Sequence, residues 1–279
     1  MKLILENERG RVVLGGGTNE SFNIISVEGL GFPGKSYTTV ECVGNSGQDT
    51  VNVHTNSRVI TISGDVITKD NNVLEKLIDV LTQDVYLTVL TGKKKRKIYT
   101  KIREFEIYNK KGGYSGVVLQ LEADNPYFKD INSTETLIFE RENLVKGRIN
   151  LPCVFTGRIV GGNVENKGIE KTYPIITVYD VGNNGKTLEE KSISFVNRKN
   201  GASVTFEYET SVGEILTIDF ENRKAYSNKN GDIMNYLSLE NYLSSFSLDR
   251  GNNFIDVVNN TSREISSVCL HDNYYCECL

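Results

Sequence analysis

From residue 149 onward, the sequence alternates short segments that favour β-strands with turns rich in glycine and asparagine. Segments such as YPIITVYD, KSISFVN and EILTIDF are separated by turns such as NRKNGA and SNKNGD. Short strands spaced by such turns are typical of an antiparallel sandwich. The chain has 25 glycines, 14 tyrosines and 11 phenylalanines but only 4 prolines, a balance that suits turns and half-buried strands. This half therefore predicts an all-β fold.

The first half of the chain also predicts antiparallel strands. Alternating or β-branched segments cover residues 22–27, 37–43, 57–65, 84–90, 96–108 and 116–123. Short turns such as NKKGG join the later segments into a meander. The meander ends at Asp124-Asn125-Pro126, because proline removes a backbone donor from the ladder.

One segment of this half predicts a helix, near residues 72–83. In NNVLEKLIDVLTQD, Asn72 and Glu75 are placed as a capping box at the start of the helix. Five apolar residues recur at helical spacing, and they are Val73, Leu74, Leu77, Ile78 and Leu81. We therefore expect one helix, which covers a sheet with this apolar stripe.

The segment EGLGFPGKSYTT contains a complete match to the phosphate-loop pattern, in which Gly29 is followed after four residues by Gly34, Lys35 and Ser36. Such a loop surrounds phosphates with backbone N–H groups between a buried parallel strand and the start of a helix. The residues that follow, YTTVECVG, are β-branched and predict a strand. Asp219 is the only candidate for a metal-carrying aspartate at a strand end. We therefore interpret the match as a glycine–proline turn rather than an ATPase site.

The run GKKKRK, residues 92–97, is a second candidate for a functional segment. It has no interleaved aromatic residues, and Glu104 and Glu106 follow it closely. Charge runs mostly mark exposed surface or contacts with other proteins. The formal net charge of the chain is -4, without the basic excess of a nucleic-acid-binding domain. We therefore interpret the run as a solvated or subunit-facing hairpin loop.

The C-terminal residues Cys269, His271, Cys276 and Cys278 are four ligands of the type that zinc uses. Structural zinc takes its ligands from paired knuckles, whereas the spacing Cys276-x-Cys278 would point both thiols the same way from a strand. We interpret these residues as ordinary end-strand residues and predict no metal site. The five cysteines of the chain are an odd, scattered set, so we expect reduced thiols rather than a disulfide framework.

The sequence predicts no enzyme, no catalytic residue and no cofactor. The only histidines are His54 and His271, and no G-x-S-x-G elbow is present. His54 lies in VNVHTNS, an alternating strand or its flank, and we interpret it as a turn histidine. Two pairs of carboxylates show no sign of a shared pocket, and they are Glu189 with Glu190 and Glu207 with Glu209.

No apolar run approaches the roughly 18 to 20 residues of a membrane-spanning helix. The start, MKLILENERGR, becomes charged too soon for a signal peptide. We therefore expect a protein that is made in the cytoplasm and has no membrane partner.

Several short segments, in order along nearly the whole chain, resemble the distal tail protein of long-tailed bacteriophages of Gram-positive hosts. In the first half these are FNIISVEGLGFP, GNSGQDTVNV with SRVITISGDV, the helix beginning at Asn72, and LQLEADNPYFKD. In the second half they are GNVENKGIEKTYPIITV, SVGEILTIDFENRKAYSNKNGD and FSLDRGNNFIDV. The phosphate-loop match falls in the family's turn of Gly-Leu followed by Pro. By the same resemblance, Asn125 to Phe128 would close the first domain, and Asp219 would begin a hairpin whose turn is SNKNGD.

This resemblance implies two β-sandwiches. Residues 1–148 would form a sandwich related to tail-tube proteins, which carries the helix, and residues 149–279 a galectin-like sandwich that points outward. The first domain would assemble as a homo-hexameric ring around a central channel for DNA. Expected partners are the tail tube protein, the tail-associated protein of the tail tip and a receptor-binding protein, all in the virion after assembly in the host cytoplasm. The resemblance carries over no catalytic residue, and no sequence-specific nucleic-acid binding is expected.

A second function stays open from the sequence. The second sandwich would then be a carbohydrate-binding module that recognises a saccharide of the host cell wall. The sequence shows no clear constellation of His, Asn, Arg and Trp for this role, and Trp is absent from the chain.

Overall fold

The structure is a computed structural model, and it describes residues 1–15, 22–41, 47–67, 71–92, 94–110, 114–142, 158–160, 162–183 and 191–278. The chain forms two compact units. The first comprises Met1–Ile131 and Tyr275–Leu279, and the second comprises Asn132–Tyr274. Within the described residues, the predicted all-β fold with one α-helix is confirmed.

Among its described residues, the first unit contains ten strands and the helix, and Tyr275–Leu279 also belong to it. The strands are β1 (Lys2–Asn7), β2 (Gly10–Leu14), β3 (Phe22–Glu28), β4 (Lys35–Glu41), β5 (Gln48–Thr55), β6 (Arg58–Ile67), β7 (Val85–Thr91), β8 (Lys94–Lys110), β9 (Tyr114–Ala123) and β10 (Phe128–Asp130). The helix is α1 (Asn71–Val80). The strands predicted at 22–27, 57–65, 96–108 and 116–123 are confirmed as β3, β6, β8 and β9.

The main sheet of the first unit follows the order β2-β1-β7-β8-β9-β6-β3, with β10 beside β8. Strand β8 is 17 residues long, and it pairs with β7 up to Thr100 and with β9 from Lys101 onward. Apolar side chains along this path, including Leu5, Leu87 and Leu119, meet in one core with α1. The alternation that predicts a strand is visible in β7, where Leu87 is buried and Tyr86 is exposed.

The helix α1 ends three residues earlier than the predicted 72–83. Its last turn tightens, since Thr82 N–H donates to Asp79 O at 3.3 Å and Gln83 N–H donates to Val80 O at 3.5 Å. Leu77 and Val80 are buried, but Ile78 is 43% exposed, so the prediction that Ile78 belongs to the apolar stripe is wrong. The side chains of Asn72 and Val73 lie outside the described residues.

The second unit is a sandwich of two antiparallel sheets. Its strands are β11 (Thr134–Glu142), β12 (Arg158–Val160), β13 (Asn163–Asn166), β14 (Ile175–Asn183), β15 (Ser192–Asn197), β16 (Ser203–Phe206), β17 (Ile215–Asp219), β18 (Lys224–Ser227), β19 (Gly231–Asp232), β20 (Gly251–Asn260) and β21 (Arg263–His271). A two-residue strand, β22 (Tyr274–Tyr275), follows.

One sheet of the second unit has the order β12-β11-β21-β14-β17-β18-β19, and the other has the order β13-β20-β15-β16. Val178 and Ile218 from the first sheet share a core with Phe195 and Ile255 from the second. Because both inner faces bury their side chains in one core, this unit is a β-sandwich, as predicted. Its galectin-like character stays a prediction.

The predicted domain limits, 1–148 and 149–279, stay a prediction, because their boundary lies between residues 143 and 157, outside the described residues. The compact units group β11 with the second unit and Tyr275–Leu279 with the first. Within the described residues, no helix is long and apolar enough to cross a membrane.

Candidate functional site

The phosphate-loop match lies at the entry to a strand. Lys35 is the first residue of β4, and every residue of β4 is exposed. Gly34 O accepts a hydrogen bond from Asn56 N–H at 2.9 Å, and Ser36 Oγ donates to Asn56 Oδ1 at 2.9 Å. Because Lys35 and Ser36 begin a strand, they are not at the start of a helix, where a phosphate loop would place them.

The first glycine of the match is required by packing. Gly29 has φ of +86°, and a Cβ placed there would lie 2.1 Å from Val59 O near the start of β6. A side chain at this position would therefore both strain the backbone and collide with it. The glycine pattern thus arises from the close approach of a turn to a strand.

Lys35→Ala is expected to change the free energy of unfolding by less than about 0.5 kcal/mol, because Lys35 is exposed and outside the core. We expect no binding of ATP by calorimetry in the natural protein or in this variant. Gly29→Ala is the matched comparison in the same turn, and we expect it to lose about 2 kcal/mol of stability. Saturable ATP binding that disappears with Lys35→Ala would contradict the turn interpretation.

A buried arginine ties this turn to the rest of the first unit. Arg58, the first residue of β6, is only 3% exposed, and its guanidinium lies 4.7 Å from the centre of the Phe128 ring. The guanidinium donates to four backbone carbonyls, which are Gly29 O (2.5 Å), Gly31 O (2.6 Å), Pro126 O (2.7 Å) and Cys276 O (2.5 Å). Burial lowers the pKa of Arg58. The carbonyl dipoles take the place of water around its charge.

The basic run lies mostly on β8 rather than in a loop. Thr91 pairs with Lys94 across the β7–β8 hairpin, so residues 94–97 belong to the strand. The interpretation of the run as a hairpin loop is therefore wrong for residues 94–97. The guanidinium carbon of Arg96 lies 3.7 Å from the centre of the Tyr275 ring, and Lys94 Nζ lies 3.4 Å from Glu277 Oε1. The end of the chain thus contacts this strand within the first unit.

The four soft ligands near the C-terminus belong to different units. Cys269 and His271 lie on β21 in the second unit, and Cys276 and Cys278 belong to the first. Burial raises the pKa of Cys269 to about 12. Cys278 is fully buried in the core of the first unit, and its N–H donates to Leu30 O at 3.1 Å. Within the described residues, no three His, Cys, Asp or Glu side chains are grouped to hold a metal ion.

Cys269, Cys276 and Cys278, the cysteines that the structure describes, form no disulfide. The predicted absence of a metal stays a prediction. Some residues singled out in the sequence lie outside the described residues, namely Cys42, Lys93, Cys153, Glu189 and Glu190.

The two histidines have separate surroundings. His54 is exposed on β5 opposite Ser36, so its interpretation as a turn histidine is wrong. His271 is buried, which lowers the pKa of its imidazole, and its Nε2 lies 3.2 Å from Glu165 O.

Asp219 caps a turn. Its carboxylate accepts from Asn222 N–H at 2.9 Å and from Asn222 Nδ2 at 2.8 Å, just after β17 ends. Arg223 follows with φ of +56°, and β18 then pairs back onto β17. The predicted single hairpin from Asp219 to SNKNGD is therefore wrong. Two hairpins follow each other, and SNKNGD joins β18 to β19.

The paired carboxylates Glu207 and Glu209 differ in environment. Glu207 is exposed, whereas Glu209 forms an ion pair with Lys191 and accepts hydrogen bonds from Ser262. The hydrogen bond from Lys191, with those from Ser262, lowers the pKa of Glu209 to about 2. This carboxylate is thus fixed as an anion in a structural ion pair.

Sequence reasoning missed a fully buried carboxylate in the second unit. Glu214 has no exposed surface and accepts hydrogen bonds from five neutral donors. These donors are Tyr208 OH (2.6 Å), Ser211 N–H (2.7 Å), Ser211 Oγ (2.8 Å), Asn230 Nδ2 (3.0 Å) and Ser227 Oγ. Burial alone would raise the pKa of Glu214, but the hydrogen bonds, led by the one from Ser227, lower it to about 2.

The β4–β5 ribbon is the candidate assembly surface. These two strands pair only with each other among the described strands, and neither contributes to the core. Tyr37 and Val53 face each other across the ribbon and are 60% and 50% exposed. Val40 and Val51 are also exposed. The alternation in TVNVHT predicts a strand, but no sequence pattern shows that the apolar side chains of this strand stay exposed instead of packing into a core.

Comparisons with known proteins give a family match within the second unit and a similar fold over most of the chain. Residues 167–268 match the model of the family described as siphovirus-type tail component, C-terminal domain. The fold is similar to the Dit (gp 19.1) protein of phage SPP1, a hub of the adsorption apparatus of phages that infect Gram-positive hosts. This similarity has a TM-score of 0.63 and 12% identity, over 91% of this chain and 93% of that one.

A second similarity is to a chain of the phage P2 baseplate in its activated conformation with Ca. It has a TM-score of 0.52 and 10% identity, over 97% of each chain. No curated protein matches the sequence.

At these identities the solved structures establish the fold, and the family match lies within the second unit. Both results agree with the resemblance drawn from the order of the sequence segments, and neither favours a saccharide-binding module. The chain therefore has the fold of the Dit protein of phage SPP1, and its residues 167–268 match the C-terminal domain of the siphovirus-type tail component family.

Proposed function

We propose that this chain is the structural hub of a phage tail tip or baseplate. Six copies of the first unit close into a ring around a channel through which DNA passes. The ring joins the tail tube protein on one side to the tail-associated protein on the other. The second sandwich points outward and offers a place for a receptor-binding protein. The protein acts by assembly and has no catalytic activity, cofactor or metal.

The β4–β5 ribbon is the observation that carries this proposal. A two-stranded ribbon is marginally stable by itself in water, so it needs a surface to pack on. Contiguous exposed apolar side chains such as Tyr37 and Val53 mark protein contacts. A closed ring of identical subunits requires a heterologous contact, in which a projecting element of one copy binds a different surface of the next. The ribbon supplies such an element.

The double variant Tyr37→Asp/Val53→Asp tests this role. We expect it to elute as a single chain of 31.2 kDa by light scattering, because two charges replace the apolar pair at the subunit contact. The natural protein is expected to give a mass about six times larger. Both are measured at about 0.5 M NaCl, where contacts between exposed charges are screened.

The control places the same two charges on the opposite side of the ribbon. Thr38 and Asn52 also face each other, and both are exposed. Thr38→Asp/Asn52→Asp is expected to keep the mass of the ring. If Tyr37→Asp/Val53→Asp also keeps that mass, the ribbon does not form the ring contact.

A further inference from the structure

The first unit is completed by a segment that follows the whole second unit along the chain. The first unit breaks off at Ile131 and resumes at Tyr275, with Asn132–Tyr274 between them. We call residues 275–278 the clasp. The continuous part of the first unit, which ends at Ile131, therefore lacks part of its fold.

One residue of the clasp lies in the hydrophobic core of the first unit. Cys278 has no exposed surface, and its thiol lies 3.9 Å from Val89 O. Its N–H donates to Leu30 O at 3.1 Å, and Thr91 Oγ1 donates to its carbonyl oxygen at 3.4 Å. Cys278 thus connects the turn after β3 to strand β7.

The backbone of the clasp provides hydrogen-bond acceptors for two arginines. Arg58 donates to Cys276 O at 2.5 Å, and Arg96 donates to Glu277 O. Because Arg58 is only 3% exposed, loss of the Cys276 carbonyl would leave a buried cation short of an acceptor. Such a loss costs more than the loss of an ordinary hydrogen bond.

The side chain of Tyr275 fixes the other end of the clasp. Its ring centre lies 3.7 Å from the guanidinium carbon of Arg96, and its OH donates to Asp130 Oδ2 at 3.1 Å. Asp130 belongs to β10, which pairs with β8. The clasp therefore contacts β6, β7, β8 and β10 as well as the turn after β3.

We propose that the clasp is a folding checkpoint, which delays the stable fold of the first unit until the second unit has been synthesised. A protein chain is made from its N-terminus, and a domain generally folds as a unit. Here the residue that fills the core at Cys278 and the carbonyl that Arg58 requires are made after the second unit. The first unit cannot complete its core before then.

The consequence of this order concerns assembly. The β4–β5 ribbon belongs to the first unit, and a surface that is already ordered binds with a smaller loss of entropy. A chain that stops within the second unit has no clasp, so its first unit is not held in the form that joins the ring. This consequence rests on the proposed function, whereas the effect of the clasp on folding does not.

The test compares the full chain with a variant that ends at Tyr274, by hydrogen exchange read separately for each unit. Strands β7 and β8 report on the first unit, and β14 and β17 report on the second. We expect the shortened variant to exchange at least about 100-fold faster in β7 and β8, because several buried hydrogen bonds and a core side chain are lost together. In β14 and β17 we expect it to exchange as the full chain does.

Two substitutions in the full chain separate the clasp from chain length. Cys278→Asp places a charge in the core, so we expect exchange in β7 and β8 to be at least about 100-fold faster. Glu277→Ala is the matched control, because the Glu277 side chain is 43% exposed and Arg96 contacts its backbone oxygen. We expect exchange in this variant to stay within about twofold of the natural protein.

Light scattering of the same proteins at about 0.5 M NaCl measures assembly. We expect the shortened variant and Cys278→Asp to remain single chains, and Glu277→Ala to reach the mass of the natural protein. A natural protein that is itself a single chain would contradict the ring and leave the exchange comparison decisive for the clasp. The checkpoint is overturned if the shortened variant keeps the protection of β7 and β8. It is also overturned if β14 and β17 lose as much protection, because the clasp would then not act on the first unit.

Discussion

Arg58→Ala is expected to lower the free energy of unfolding of the first unit by about 3 to 5 kcal/mol. The substitution removes the donors that four backbone carbonyls share, and it leaves a space beside Phe128. Those carbonyls come from three separate parts of the chain, namely the Gly29–Gly31 turn, Pro126 and Cys276. One side chain therefore fixes three segments that the main sheet does not align by itself.

Urea denaturation of the full chain, with hydrogen exchange in β6 and β9 to report on the first unit, measures this effect. Arg58→Lys keeps the charge but has fewer donors in a less suitable geometry, so we expect a loss of intermediate size. Arg103→Ala is the control, because Arg103 is half exposed and its nearest carboxylate oxygen, on Glu122, is 3.9 Å away. A loss for Arg58→Ala as small as that of Arg103→Ala would show that the four hydrogen bonds do not stabilise the fold.

Glu214→Gln is expected to lower the stability of the second unit by about 2 to 3 kcal/mol at neutral pH. The amide cannot accept at both ends, so its NH₂ group would face donors from Ser211 or from Tyr208 and Ser227. A buried donor facing a buried donor leaves both without a partner. Glu207→Gln is the matched control, because Glu207 is close to Glu214 in the sequence and is exposed. We expect this variant to show no measurable change in the free energy of unfolding.

The same carboxylate predicts how stability depends on pH. The pKa of Glu214 is about 2 in the folded protein, against an ordinary value of 4.5, so its contribution is complete above pH 4.5. It is lost as the pH falls from 4.5 toward 2, because the unfolded chain then binds a proton that the folded protein excludes. A shift of this size corresponds to about 3 kcal/mol for one group.

Glu209 also makes the folded protein less stable as the pH falls from 4.5 toward 2, because its pKa in the folded protein is also about 2. The natural protein is therefore expected to lose stability steeply between pH 4.5 and 2. Glu214→Gln is expected to lose less over this range, and Glu207→Gln as much as the natural protein. Equal slopes for the natural protein and Glu214→Gln in urea denaturation at several pH values would show that Glu214 is not held as a buried anion.

Local patterns were sufficient to predict strands β3, β6, β8 and β9, the helix and the turn at the phosphate-loop match. The period of two in β6 and the β-branched residues after Lys35 are properties of neighbouring residues, so the sequence displays them directly. The order of short turn-rich segments also predicted the family resemblance. These signals need no knowledge of distant contacts.

The missed features depend on residues far apart in the chain. Arg58 bonds to Cys276 across most of the sequence, and no pattern near either residue indicates this. The exposure of Tyr37 and Val53 depends on which strands join the main sheet, which alternation does not specify. The basic run was assigned to a loop because its glycine and lysines favour a turn, whereas pairing of Thr91 with Lys94 places residues 94–97 in β8.

The mass of the natural protein at about 0.5 M NaCl tests the central claim most directly, because the claim is that this chain works by forming a ring. We expect light scattering to give about six times 31.2 kDa. A single chain or a stable pair at every protein concentration would contradict it.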